Sequence, residues 1–218
     1  MVYRIRVWDL PTRLFHWLLA LAVVALVASA QLGRMELHMR LGYAVAALLL
    51  FRLLWGLFGG YWSRFVRFLY TPAALWRYLR GRGEAADEVG HSPLGALSVW
   101  ALLLVLLVQV GTGLISDDEI AVAGPLAARV SSALSSAATS YHRGLGKWLL
   151  IALVSLHVLA VLYYLVVKRR NLIRPMIAGD KLLAVPAPAS ADGWPQRLLA
   201  VGLALLAAGA VTLLVQLA

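Results

Sequence analysis

Residues 141–167 read YHRGLGKWLLIALVSLHVLAVLYYLVV and carry two histidines, His142 and His157, on one apolar run. From Trp148 to Val167 the run has no charged residue, and this length is close to the ~20 residues that a helix needs to cross the hydrocarbon of a bilayer. On a straight α-helix the two histidines would lie about 60° apart around the axis and about 22 Å apart along it. The stretch therefore predicts a transmembrane helix with one histidine near each end.

Three other apolar stretches, and a fourth broken by one arginine, predict further membrane spans. Charged residues are absent from residues 14–33, 93–116 and 198–218, and Arg52 alone interrupts residues 41–63. The chain of 218 residues is 62% hydrophobic and 14% charged, whereas a soluble domain is about one-quarter charged. We therefore predict an all-α membrane protein with five transmembrane helices.

The same pattern predicts how the chain is organised. We expect a four-helix transmembrane bundle within residues 1–175, a Pro/Ala-rich linker over residues 176–195, and an accessory fifth helix over residues 196–218. The first span also imitates a secretory signal, since a basic start precedes an apolar run that ends in Ala28-Ser29-Ala30. We expect it to be retained, because it is long enough to span the membrane and begins with His16 rather than with aliphatic residues.

Basic residues are distributed unevenly between the two sides of the predicted bundle. The N-terminus, residues 52–82 and residues 168–197 hold most of the 20 lysines and arginines. The positive-inside rule therefore places the N-terminus in the cytoplasm and the C-terminus outside. The net charge of +10 then needs no nucleic-acid partner. Within residues 61–90 aromatic residues alternate with arginines, which favours an amphipathic helix lying in the cytoplasmic headgroup zone.

Four histidines form two pairs at matching membrane depths. In this topology His16 begins the first helix on the cytoplasmic side and matches His157, while His38 begins the second helix on the outer side and matches His142. Each pair joins two helices, so a planar haem could lie between two neutral imidazoles, one on each face of its iron. The chain has no cysteine, which excludes covalent c-type haem and thiolate-bound clusters. The open alternative is that these histidines bind lipid headgroups or backbone carbonyls at helix ends.

The two predicted haem b sites have candidate cationic partners for their propionates. Arg52 follows His38 on the same helix, about 40° away around the axis, and so lies at the depth of the inner pair. Arg40, Arg143 and Lys147 crowd the outer pair, where they would hold propionates or attract an anionic substrate. Contact with lipid headgroups is the competing interpretation for all four cations.

Other polar and small residues leave two interpretations open. His91 has no partner at its depth and is expected to be a loop residue. The acidic run of the outer loop, Asp117 to Glu119, either docks a basic redox partner or is simply solvated. Glycines in the spans either let a flat ring approach the backbone or serve helix packing: Gly42, Gly111, Gly113, Gly144 and Gly146.

Short motifs follow one another in a fixed order over residues 4–180. They are Val7-Trp8-Asp9, Arg13-Leu14-Phe15-His16-Trp17, His38 before Gly42, Phe51-Arg52-Leu53, Gly90-His91 with Pro93-Leu94-Gly95, Tyr141-His142 with Gly144, then His157 and Asn171-Leu172. In this order they resemble bacterial cytochrome b561, a family related to the cytochrome b subunits of membrane nickel–iron hydrogenases. The resemblance implies a four-helix core in the bacterial inner membrane, two b-type haems, and the four paired histidines as their axial ligands.

The resemblance also implies a function. It implies electron exchange between membrane quinone and a periplasmic redox partner, such as a c-type cytochrome or a dehydrogenase or hydrogenase subunit. Some relatives oxidise superoxide and reduce ubiquinone, so an enzyme of that kind is the alternative, with Arg40, Arg143 and Lys147 attracting the anion to the outer haem. A haem-free membrane scaffold or transporter is a third possibility. The resemblance does not extend to the fifth helix.

Overall fold

Five long helices dominate the fold, which is described by a computed structural model. The structure describes residues 1–218 except for the side chain of Ala85. Within that part, the helices long and apolar enough to cross a membrane are Leu10–Gln31, Met35–Phe58, Pro93–Leu114, Ser132–Val166 and Trp194–Gln216. A helix of 22 residues such as Leu10–Gln31 is about 33 Å long, which matches the ~30 Å hydrocarbon core of a bilayer. The chain is therefore a multi-pass helical membrane protein, as predicted.

The remaining elements are short. In chain order the α-helices are α1 (Leu10–Gln31), α2 (Met35–Phe58), α3 (Pro72–Leu79), α4 (Pro93–Leu114), α5 (Ser132–Tyr141), α6 (Lys147–Val166), α7 (Ile173–Ala178) and α8 (Trp194–Gln216). A π-helical turn, His142–Gly146, joins α5 to α6 and completes the fourth span. Single 3₁₀ turns occupy Tyr61–Ser63, Phe65–Phe68, Ala85–Glu88 and Ala127–Arg129, and two strands are β1 (Tyr3–Arg6) and β2 (Asp180–Leu183).

Two spans begin earlier than the sequence predicts. α2 begins at Met35, so that His38 lies within its first turn. The fourth span begins at Ser132 rather than near Tyr141, because the Ser131 hydroxyl accepts a hydrogen bond from a backbone N–H of the first turn and caps the helix. The added turns are rich in serine and alanine, and hydropathy alone does not separate such residues from a loop.

The chain forms two compact units, and every long helix contributes residues to both. The first unit consists of Met1–Phe15, Arg52–Ala101 and Leu156–Leu203. The second unit consists of His16–Phe51, Leu102–Ser155 and Ala204–Ala218. Most of the basic residues belong to the first unit, whereas His38 and His142 both belong to the second.

A small antiparallel sheet in the first unit connects the N-terminus to the predicted linker. β1 pairs with β2, and Arg6 lies opposite Asp180 in the register. The Arg6 side chain also forms ion pairs with Asp180 and Asp192. This part of the predicted linker is thus held by hydrogen bonds to residues more than 170 positions away, and such long-range pairing cannot be seen in its Pro/Ala-rich composition.

Asp9 holds the start of α1 within the first unit. Its carboxylate is completely buried, and it accepts hydrogen bonds from the Thr12 backbone N–H at 2.8 Å, the Trp55 indole at 3.1 Å and the Ser63 hydroxyl at 2.6 Å. The first of these is an N-cap bond for α1. A Cβ atom on Gly60 would lie 2.2 Å from the same carboxylate, so glycine is required there. Asp9 thereby connects the beginning of α1 to the end of α2.

Residues 61–90 do not form the single amphipathic helix that the sequence predicts. The only α-helix in this described segment is α3, whose start is capped by the Thr71 hydroxyl ahead of Pro72. Its end is followed by Gly81, which has a positive φ of 73° that interrupts a right-handed helix. Alternation of aromatic and basic residues identified a surface segment, but these local breaks divide it into short pieces.

Candidate functional site

Two predicted ligands, His38 and His142, lie face to edge in the second unit. Their imidazole ring centroids are 6.0 Å apart, and the ring planes make an angle of 85°. His38 comes from the first turn of α2, and His142 begins the π-helical turn between α5 and α6. Both rings are half-buried. The structure therefore brings together the two histidines that the sequence pairs at the outer depth.

Backbone carbonyls fix which nitrogen of each imidazole donates a hydrogen bond. His38 Nδ1 lies 3.0 Å from Leu26 O, and His142 Nδ1 lies 2.8 Å from Gln109 O. A carbonyl oxygen only accepts hydrogen bonds, so each Nδ1 carries the hydrogen and donates it. In a neutral ring that donates from Nδ1, the Nε2 atom keeps its lone pair, which is the state in which imidazole binds a metal.

The spacing and the donor set both fit a haem iron. A metal–imidazole bond is about 2 Å and the ring centre lies about 1 Å beyond the nitrogen, so two imidazoles on one iron have centroids about 6 Å apart. Within the described residues no group of three or more His, Cys, Asp or Glu side chains could hold a bare metal ion. A haem iron needs only two protein ligands, because the macrocycle supplies four nitrogens.

The chain at His142 departs from a regular helix. Gly144 has φ −101° and ψ −106°, outside the helical region, and the π-helical turn is wider than an α-helical one. The Gln109 side chain on α4 donates from Nε2 to His142 O at 2.8 Å. A Cβ atom on Gly113 would lie 2.8 Å from His142 Cε1, so the ring packs directly against α4. Such π-helical turns are frequent at functional sites.

The other two predicted ligands, His16 and His157, belong to different units of the chain. His16 lies on α1 in the second unit, half-buried, with its ring edge-to-face to Trp17 at 5.0 Å. His157 lies on α6 in the first unit and is also half-buried. The predicted angle of about 60° around the helix axis between His142 and His157 holds only for an uninterrupted α-helix. The π-helical turn interrupts the helix between them, so this angle no longer applies. Pairing of His16 with His157 stays a prediction.

Arg52 is buried in the first unit among aromatic side chains. Arg52 is only 3% exposed. Its guanidinium carbon lies 4.7 Å from the centroid of the Phe65 ring and 5.9 Å from the centroid of the Phe68 ring. Among the described residues its Nη1 atom has no hydrogen-bond partner. A buried cationic donor of this kind needs an acceptor, and a carboxylate group of a ligand would supply one. Arg52 does not snorkel to an exposed position.

The three predicted outer cations have other contacts. Arg40 is exposed and forms an ion pair with Glu36 one helical turn away. The Lys147 ammonium lies over the Trp148 ring at 4.9 Å. Arg143 is exposed. These contacts provide no separate support for a role at the outer site, and that role stays a prediction.

His91 lies outside any helix or strand, as predicted for a loop residue, but its ring is closely packed. Its ring lies 4.7 Å from the Trp8 ring and 4.5 Å from the Phe68 ring, centroid to centroid, within the first unit. Its backbone carbonyl accepts a hydrogen bond from the Tyr70 hydroxyl. His91 therefore belongs to an aromatic cluster that also contacts Arg52 through Phe68.

The acidic outer loop is a compact turn. One oxygen of Asp118 accepts hydrogen bonds from the backbone N–H groups of Ile120, Ala121 and Val122. Donation from these groups, with that of Val122 contributing most, lowers the pKa of Asp118. The sequence left docking and solvation open, and for Asp118 the structure adds a local role in shaping the loop.

Gln109 is the site residue that the sequence analysis missed. A glutamine inside the otherwise apolar α4 was the available signal, since an amide in a membrane span requires partners. The sequence predicts Gly113 as one of several glycines where a flat ring could approach the backbone. In the structure Gly113 lies against the His142 ring, unlike Gly42, Gly111 and Gly144. A Cβ atom on any of those three would have nothing within 4 Å.

Comparison with known proteins gives one match. The sequence model of a family described as prokaryotic cytochrome b561 matches residues 7–179, which is most of the chain. The matched range contains all four paired histidines and ends before α8. No curated protein and no solved structure is significantly similar to the chain.

Proposed function

Because the chain belongs to the prokaryotic cytochrome b561 family of membrane electron-transfer proteins, we propose that it is a di-haem cytochrome that carries electrons across the bacterial inner membrane. Its electrons would pass between membrane quinone and a periplasmic redox partner. Each bound haem b supplies one-electron chemistry. The residues of the chain bind the two groups, set their orientation and hold them away from water.

The outer haem is assigned to His38 and His142. The observation that carries this assignment is their 6.0 Å ring spacing together with the donation of both Nδ1 atoms to backbone carbonyls. A haem held by these two histidines would have no position left for a third ligand, so the site would favour electron transfer over binding of oxygen. The carbonyl acceptors, Leu26 O and Gln109 O, hold each ring in the tautomer that presents Nε2.

The inner haem is assigned to His16 and His157, with Arg52 holding a propionate. Support comes from the matching predicted depths of the two histidines and from the buried guanidinium, whose Nη1 atom lacks a partner within the described residues. Burial against Phe65 keeps the Arg52 cation out of water. In this buried position its attraction to a carboxylate is stronger than it would be at an exposed surface.

Haem quantitation with a reduced-minus-oxidised optical spectrum tests both assignments. We expect two haems per chain in the wild type, one in His142→Ala and one in His157→Ala, with a different spectral component missing in each variant. His91→Ala is the matched control, because it removes a half-buried histidine that has no assigned haem. A colourless wild-type protein would refute the function, and unchanged stoichiometry in either ligand variant would refute that ligand.

The proposed orientation has the N-terminus in the cytoplasm and the C-terminus in the periplasm, supported by the basic residues at 52–82. The absence of cysteine makes this easy to test, because each introduced cysteine is the only thiol. A membrane-impermeant maleimide should label Ile120→Cys, at a position 91% exposed, in intact spheroplasts. It should label Arg82→Cys only after permeabilisation. The reverse pattern would refute the orientation.

Redox partners are tested with the purified protein. We expect a quinol to reduce both haems and an oxidised c-type cytochrome to reoxidise them. His142→Ala should keep reduction of the inner haem and lose most of the transfer to the cytochrome. Failure of quinol to reduce the wild type would refute the quinone half of the proposal while leaving the haem assignments intact.

A further inference from the structure

Gln109 contacts His142 in two places, although α4 itself supplies no predicted ligand. Its main-chain oxygen accepts the His142 Nδ1–H at 2.8 Å, and its side-chain Nε2 donates to the His142 carbonyl at 2.8 Å. One residue therefore holds both the ring and the backbone of His142. An amide inside an apolar span is costly unless it is hydrogen-bonded. Donation from Nε2 to the His142 carbonyl satisfies one half of this amide, whereas Oε1 is buried without a hydrogen-bond partner among the described residues.

The π-helical turn makes the second contact possible. His142 is the first residue of this turn, and the dihedral angles of Gly144 interrupt the regular hydrogen-bond pattern of the helix. The side chain of Gln109 lies against the turn: a Cβ atom on Gly146 would be 2.2 Å from Gln109 Oε1 and 2.6 Å from Tyr141 Cε1. Glycine at position 146 therefore leaves the space in which the amide can reach the carbonyl.

Thr112 shares the acceptor that orients the His142 ring. Its hydroxyl lies 2.8 Å from Val108 O and 3.1 Å from Gln109 O. The hydroxyl has a single hydrogen and lies closer to Val108 O, so it shares that hydrogen between Val108 O and Gln109 O, and Gln109 O also accepts the His142 Nδ1–H. A stronger Nδ1–H bond makes imidazole a more basic ligand, so a hydroxyl that competes for the same oxygen weakens that effect.

The geometry points to the Gln109 side chain as the positioning group that holds the backbone of His142, and through it the plane of the ring, with Thr112 adjusting how basic that ring is as a ligand. This inference rests on the proposed function, in which His142 binds the outer haem. It adds that a side chain on a helix without ligands holds one of the two imidazoles that make the 85° angle. The angle and the basicity of the ligand have separate measurable consequences.

Electron paramagnetic resonance of the oxidised protein reports the angle. Nearly perpendicular imidazoles on low-spin ferric iron give a strongly anisotropic signal with a large maximum g value. Gln109→Met keeps the length of the side chain and removes its N–H donor, so we expect the outer haem to remain bound and its maximum g value to decrease. The matched control is Gln216→Met, at an exposed position of α8 in the same unit, which should leave the signal unchanged.

Thr112→Val tests the second part. Without the competing hydroxyl, the His142 Nδ1–H bond strengthens and the ferric state is favoured, so the midpoint potential of the outer haem should decrease. Thr212→Val, at an exposed position of α8, is the matched control and should change neither potential. An unchanged or increased outer potential in Thr112→Val would overturn the role of Thr112.

The outcomes separate this inference from the function on which it rests. If wild-type protein binds two haems and His142→Ala loses one, the function stands. An unchanged signal in Gln109→Met, or the same decrease in Gln216→Met, then overturns only the positioning role. If His142→Ala keeps both haems, the ligand assignment itself has failed.

Discussion

Gly113→Ala should weaken binding of the outer haem, because a methyl group at this position occupies space that the His142 ring uses. The added Cβ atom would lie 2.8 Å from Cε1 and 3.2 Å from Nδ1 of that ring, whereas ordinary van der Waals contact begins at 3.4 Å. The ring must therefore retreat by about 0.6 Å, about three times the ~0.2 Å by which a metal–ligand distance usually varies. Retreat also stretches the 2.8 Å bond from Nδ1 to Gln109 O.

The energetic cost follows from the same overlap. Overpacking a filled site by one methyl group costs about 1–3 kcal/mol, which weakens binding about 5- to 150-fold. We expect haem quantitation to decrease from two haems towards one per chain, and the component lost should be the one missing in His142→Ala. The inner component should remain.

Gly111→Ala is the matched control for this prediction. It adds the same methyl group to the same helix two residues away, where a Cβ atom would have nothing within 4 Å. This variant should keep both haems. The reasoning is refuted if Gly113→Ala retains a wild-type outer spectrum, or if Gly111→Ala loses as much haem.

Two further predictions concern the first unit. Asp9→Ala removes the shared acceptor of three buried donors, of which the Trp55 indole and the Ser63 hydroxyl still contact Thr12 Oγ1 at 3.2 Å and 2.6 Å. The Thr12 backbone N–H then lacks its acceptor, which costs about 1–3 kcal/mol, so thermal unfolding in detergent should show a loss of at least about 1 kcal/mol. Glu36→Ala, at an exposed position, is the control, and equal melting of the two variants would contradict the prediction. Burial lowers the pKa of Lys181 from its ordinary 10.5 to about 8, while its Nζ donates to the carbonyls of residues 88–90. The unfolded chain then binds more protons than the folded one between these two values, so stability should rise as pH increases from about 8 to about 10.5. Lys181→Met should lack this rise, and a Lys181→Met profile parallel to that of the wild type would show that another group causes it.

Local composition was enough to predict the spans and the candidate ligands. A run of about 20 apolar residues must satisfy its backbone internally within a bilayer, so helices follow from the sequence without knowledge of their neighbours. The pairing of His38 with His142 also followed, since alternating helix directions place the two near the same surface. The helix starts at Met35 and Ser132 were harder to predict from the sequence, because polar turns and side-chain caps change hydropathy little.

Contacts between distant parts of the chain were decided only by the tertiary structure. Gln109 and His142 are 33 positions apart, and β1 and β2 are paired across most of the chain. Neither periodicity nor composition predicts these contacts. Each contact depends on how separate elements pack and on which backbone groups are free to form hydrogen bonds. The sequence was enough to show a helical membrane protein and to predict histidines at two depths within it. The packing of α4 against the π-helical turn decided which atoms hold the His142 ring, since a hydrogen bond depends on position and direction in three dimensions.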